Sequence, residues 1–148
     1  MKTESVTALL EDMVPAGLVK SIWDVEELVK IAERPNLALP ALYVASENVT
    51  GTPPIEGSYV LDQTLNSTAL VVIVLRPDGA RIGRAKPQLD VLRDAVLERL
   101  FGVQPDGWDS VLTVGDIRNL GRELPPGLIG RAIRMRGRTR IRKIRDAA

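Results

Sequence analysis

Two hydrophobic periods run through the chain, and each predicts elements. Val6, Leu9, Leu10 and Met13 fall at i, i+3, i+4 and i+7, the stripe of an amphipathic helix that Pro15 and Gly17 end. Val19 to Trp23 reads as a short strand. Asp24 followed by Glu27 has capping-box spacing with a carboxylate at the N-cap, so a short helix is expected until Pro35. Ala41 to Val49 predicts a strand, and Thr50 to Ser58 has the composition of an exposed loop. Tyr59 to Leu75 is one long extended segment. Its β-branched cluster, Val71, Val72, Ile73 and Val74, favours strand over helix. The unbroken apolar run from Ala69 to Leu75 predicts cover on both faces near the end of that strand.

Arg76-Pro77-Asp78-Gly79 is a turn signal, and a polar loop is expected up to Pro87, which suits the first turn of a helix. Leu89, Leu92, Val96 and Leu100 carry that helix, with Asp90, Arg93, Asp94 and Glu98 outside it and Gly102 as its C-terminal cap. Gln104-Pro105-Asp106-Gly107 predicts another turn, Val111 to Ile117 a strand, and Leu120 to Gly130 a loop.

Arg134, Arg136, Arg138, Arg140 and Arg142 then stand at strict period two, alternating with Ile133, Met135, Gly137, Thr139 and Ile141. A strand at about 131–145 would place five guanidiniums on one face and a mostly apolar row on the other. A helix would spread the arginines around its circumference, although Ile133, Gly137, Ile141 and Ile144 would share a stripe. Gly137 and Thr139 are poor helix formers, which favours the strand. The order of elements predicts one α+β domain over residues 1–148. Its sheet would be mostly antiparallel, of about four to five strands, with helices packed on one face. Leu9, Leu10, Met13, Val44, Val72, Val74, Leu92, Val96 and Leu100 are the expected core.

Composition narrows the chemistry. The 148 residues include no cysteine and no histidine. Disulfides, thiolate nucleophiles, zinc–sulfur sites, histidine relays and the commonest metal ligand are thereby excluded. A hydrophobic content of 45% suits a folded chain. The N-terminus has no apolar h-region after a basic patch, and the longest apolar run falls far short of a bilayer span, so a soluble, intracellular protein with no membrane partner is expected.

The net charge of +1 conceals a segregation. Residues 1–130 hold 12 basic and 18 acidic side chains, and residues 131–148 hold 8 basic and 1 acidic, giving −6 against +7. Such asymmetry bears on partners rather than on fold.

No catalytic constellation accompanies it. Glu26-Glu27 and Asp90/Asp94/Glu98 lie on helix faces expected to be solvated, with i,i+4 partners such as Lys86 to Asp90. Gly79, Gly83 and Gly102 make neither a Walker nor a dinucleotide spacing. The Asp78-Gly79 and Asp106-Gly107 pairs lack the spaced carboxylates of a calcium loop. No catalytic, metal or cofactor residue is therefore nominated. The candidate surface is Arg131, Arg134, Arg136, Arg138, Arg140, Arg142 and Arg145. Three readings of it stand side by side: a charged edge strand guarded against aggregation, a face for phosphates or an acidic partner, and a contact with the acidic body of a neighbouring copy. Aromatic residues are few and scattered, which argues against base stacking.

From Val14 to about Leu120 the chain resembles phage tail terminator proteins. The likeness rests on Ser21-Ile22-Trp23-Asp24-Val25, on Leu37-Ala38-Leu39-Pro40-Ala41-Leu42-Tyr43-Val44-Ala45, on the strand ending at Leu75 and on the helix through Leu89-Asp90-Val91-Leu92-Arg93. Its most specific part is Leu100-Phe101-Gly102-Val103-Gln104-Pro105-Asp106-Gly107-Trp108, where Val103 replaces an expected Trp. The arginine-rich end departs from the aromatic-rich end of that family. The resemblance implies a homo-hexameric ring that caps the tail tube, stops its polymerisation and meets a head-completion or neck protein. DNA would pass through the lumen without sequence-specific contact. It also implies a virion tail component assembled in the host cytoplasm, with no enzymatic activity and no cofactor. Thr50, Gly51, Thr52, Glu56, Arg81, Arg84 and Lys86 are the expected tube or neck contact loops.

Overall fold

The computed structural model describes residues 3–25, 38–51, 55–56, 60–77 and 82–144. The chain opens with helix α1 (Thr3–Leu10), which tightens into a 3-10 turn over Glu11–Met13. Strands β1 (Ser21–Val25), β2 (Ala41–Gly51), β3 (Ile55–Glu56) and β4 (Val60–Leu75) follow. Helix α2 (Ile82–Leu100) comes next, and β5 (Thr113–Leu120) and β6 (Ile129–Ile144) complete the fold.

The six strands form one mixed sheet in the order β1-β2-β4-β6-β5, with β3 alongside β4. β1 runs parallel to β2, and the other pairings are antiparallel. The α+β expectation is thus met in its coarse form, while the expected four to five strands become six. Two helices are described, too few for a full layer, and both faces of the sheet carry buried clusters. Val6, Leu10 and Met13 join the α2 stripe Leu89, Leu92, Val96 and Leu100 against Leu42, Val44, Ala69, Val71, Ile73, Ile133 and Met135. The opposite face buries Tyr43, Leu70, Val72, Val74 and Ala132 with Leu120 and Leu124. Alternate residues of Ala69 to Leu75 enter different clusters, and every one of them is buried, as the apolar run predicts. Of the expected core, only Leu9 is partly exposed.

Several local expectations are corrected. Asp24 belongs to β1 rather than to a helix cap, and its carboxylate accepts the Thr3 hydroxyl at 3.0 Å. The helix expected after it falls on residues outside those described. α2 begins at Ile82, so Pro87 lies inside it and withholds a backbone donor there. Arg84 and Lys86 are therefore helical, not loop residues. The loop expected at Thr50 to Ser58 is interrupted as well. Thr50 and Gly51 end β2, and Glu56 lies in β3. Thr52 and Arg81 lie outside the described residues.

β4 and β6 pair without a break from Val60↔Ile144 to Leu75↔Ile129. The buried clusters draw on Ala69 to Leu75 of β4, and on Ala132, Ile133 and Met135 of β6. Beyond them the two strands continue as a ribbon over residues 60–68 and 136–144, roughly 25–30 Å long at ~3.4 Å per residue. Its flanking pairings are sparse. β3 meets Asp62 and Leu61, the end of β2 meets Thr68, Asn66 and Leu65, and β5 reaches only as far as Arg136.

Candidate functional site

The period-two arginines are on a strand, as their alternation predicts, and the strand is β6. Register sets what stands beside them. Arg136, Arg138, Arg140 and Arg142 lie opposite Thr68, Asn66, Thr64 and Asp62 of β4, and Arg134 lies between Leu70 of β4 and Asp116 of β5. The alternation sends all five to one face of the sheet and Arg131 to the other.

Arg131 is 5% exposed. Its Nη1 donates to the Asp90 carboxylate of α2, and its Nε donates to Asn119 Oδ1 at 3.0 Å. This arginine ties α2 to the β6–β5 pair and is withdrawn from the candidate surface. The guanidinium beside Asp90 holds that carboxyl below its ordinary value.

Arg134 is also committed within the chain. Its Nε donates to Glu47 of β2, and its Nη1 donates to both oxygens of Asp116 of β5, at 2.8 and 2.9 Å. One side chain thus reaches across β4 to β2 and also grips the edge strand. The Glu47 bond, with Asp116 second, raises the guanidinium above its ordinary value. Arg140 donates through Nε to Asp62 Oδ1 at 2.7 Å, and that carboxylate likewise raises it.

Arg136, Arg138 and Arg142 are exposed and form no ion pair with any described residue. Arg145 lies outside the described residues. The stem of Arg136 crosses the β5 bulge so closely that a Cβ at Gly115 would sit 2.7 Å from its Nε.

The turn after α2 fastens the ribbon at its root. Gln104 Nε2 donates to the Trp108 carbonyl at 2.8 Å, Asp109 N–H donates to the Arg138 carbonyl at 2.6 Å, and Arg138 N–H donates to Ser110 Oγ at 2.8 Å. Trp108 is buried over Gly137, where an added Cβ would lie 2.8 Å from two indole carbons. The glycine in the inward row is thus the seat of the indole ring. Next to it, Ser67 and Thr139 share a buried hydroxyl–hydroxyl bond of 2.8 Å across β4 and β6.

Of the expected contact residues, Thr50 borders the arginine face beside Arg136, whereas Lys86 borders a separate shallow groove near Leu120 and Arg131. They do not form one surface. Sequence reasoning missed Glu47, Asp62, Asp116 and Trp108 as determinants of this face. The one available signal was Gly137, the sole residue without a side chain in the row facing away from the arginines. Among the described residues, no group of three or more histidine, cysteine, aspartate or glutamate side chains could hold a metal ion. No described helix is long and apolar enough to cross a membrane.

Comparison with known proteins gives this arrangement a context. One solved structure, described as the virion of a native gene transfer agent particle, contains a chain with the same fold. The two align with a TM-score of 0.58 at 16% identity, over 95% of each chain. No curated protein matches the sequence. A sequence model described as phage tail terminator protein matches residues 1–120 and so ends at the last residue of β5, before the arginine strand. The match spans most of the chain and includes the turn that clamps the ribbon, and on it the protein belongs to the phage tail terminator family, a family of structural tail proteins.

Proposed function

We propose that the protein closes the phage tail tube as a homo-hexameric ring. In this reading it stops tube polymerisation and meets the head-completion or neck protein, while DNA passes through the lumen. Its work is assembly, without catalysis or cofactor, and it takes place in the host cytoplasm before the virion is complete. The observation that carries the reading is the family match over residues 1–120. The surface supports it. Among the described residues β5 is an edge strand of the sheet, and Phe101, Val111, Val114 and Ile117 leave 59%, 46%, 38% and 39% of their area exposed near it. An apolar sheet edge of this kind is a template for another chain unless a partner covers it.

Light scattering on the purified protein, alone and with tail tube protein, tests the proposal. A ring of six would weigh six times the 16.2 kDa of one chain. Adding the protein to growing tubes should fix their length. A chain that stays monomeric under both conditions and leaves tube growth unchanged refutes the ring. Ile117→Lys should weaken assembly without unfolding the subunit, because Ile117 is already half in solvent.

A further inference from the structure

We infer that Arg136, Arg138 and Arg142 form a phosphodiester-binding strip that holds duplex DNA by its backbone, without regard to sequence. The structure sorts the basic strand into arginines used internally and arginines left available. Arg131 is bound to Asp90 on the other face, Arg134 to Glu47 and Asp116, and Arg140 to Asp62. The remaining three share one face of the ribbon at alternate positions. Shallow clefts flank Arg136 on both sides. Asn66, Ser110, Thr113 and Arg138 line one, and Thr50, Asn66 and Thr68 line the other. Among the described residues neither cleft is lined by a carboxylate, and both offer hydroxyl or amide groups beside the guanidinium. Phosphate oxygens are the ligands that fork-shaped guanidiniums, hydroxyls and amides recognise together. Among the described residues, Asp62 and Asp109 stand near the strip. Asp62 is engaged by Arg140, and Asp109 is close enough to raise Arg140 further. Among the described residues no aromatic side chain is exposed on the ladder to stack a base, so the duplex backbone is favoured over a single strand.

This inference takes from the proposed function only the identity of the polyanion, DNA in transit. Duplex binding and ring formation therefore fail or succeed separately. The test is fluorescence anisotropy with a labelled 30-base-pair duplex of mixed sequence, from 50 to 200 mM KCl. Three neutralised phosphates predict a slope of about −2.7 in log K against log salt per chain bound, or roughly a 40-fold loss of affinity across that range. The triple variant R136Q/R138Q/R142Q should lose the binding, and R136K/R138K/R142K should keep the salt slope. R122Q, on the exposed turn after β5, should bind as the parent does. The lysine variant guards against a folding artefact, because it alters the same three positions while keeping their charge. Absence of binding by the parent chain at 50 mM KCl overturns the inference. So does an unchanged slope in the glutamine variant. A glutamine variant that lowers oligomer mass while leaving DNA affinity intact also overturns it, and assigns the strip to an acidic surface of a second copy.

Discussion

Replacing Gly137 by alanine isolates the clamp between the post-α2 turn and the arginine ribbon. An added Cβ would meet Trp108 Cε3 and Cζ3 at 2.8 Å and Leu112 Cδ2 at 3.0 Å. Real Cβ atoms do not approach carbon so closely, and Trp108 is 4% exposed, so the ring has little room to retreat. Overpacking of this kind costs about 1–3 kcal/mol. Restricting the unfolded chain returns about 0.4–1 kcal/mol. The net expectation is a destabilisation of about 1–2 kcal/mol, which for a chain of this size lowers the melting temperature by roughly 2–8 °C. The assay is thermal unfolding followed by circular dichroism. A parallel series in a Trp108→Leu background supplies the decisive comparison. With the indole removed, Gly137→Ala should cost little or nothing, since the two ring carbons are gone and only the Leu112 methyl at 3.0 Å remains. An unchanged melting temperature refutes the clamp. An equal loss in the Trp108→Leu background refutes it too, because the penalty would then come from strand backbone preferences rather than from the ring.

Three further outcomes follow from the same contacts. Arg134→Met should lower stability by about 1–2 kcal/mol in urea titration, since it removes charge-assisted bonds to two strands at a partly exposed position, while leaving duplex binding near the parent value. Ser67→Ala or Thr139→Val alone should cost about 1–3 kcal/mol by stranding a buried hydroxyl, and the double variant should cost less than the two single losses combined. Asp12 and Asp90 have carboxyls held below the ordinary 3.8 by hydrogen bonds from Arg99 and Arg131. Each therefore contributes stability that is present above pH 4 and lost as pH falls through the lowered folded value. Urea midpoints of Asp12→Asn and Asp90→Asn should fall less steeply below pH 4 than those of the parent, and parallel slopes would exclude the linkage.

Local periodicity was sufficient for the strand character of β6, the two-sided burial of Ala69 to Leu75 and the inward stripe of α2, because each depends on residues within a few positions of one another. It misled at Asp24 and Pro87. A capping spacing and a helix-start proline are both local preferences: Asp24 instead pairs from within β1 with Thr3, 21 positions away, and α2 starts before Pro87. The family likeness was legible in the turn ending at Trp108, but the purpose of that indole was not, since its seat, Gly137, lies in the arginine strand outside the matched residues.

The arginine strand shows most sharply where sequence ends and structure begins. The amino-acid order alone determined that five guanidiniums share a face, because a strand alternates its side chains. It could not determine which of them are available. Glu47 is 87 positions from Arg134 and Asp62 is 78 from Arg140. Only the register of β2, β4, β5 and β6 brings those carboxylates within hydrogen-bond reach, and a one-residue slip would turn them to the other face. Charge is written in the sequence, but its neutralisation depends on distance, and distance is set by the fold.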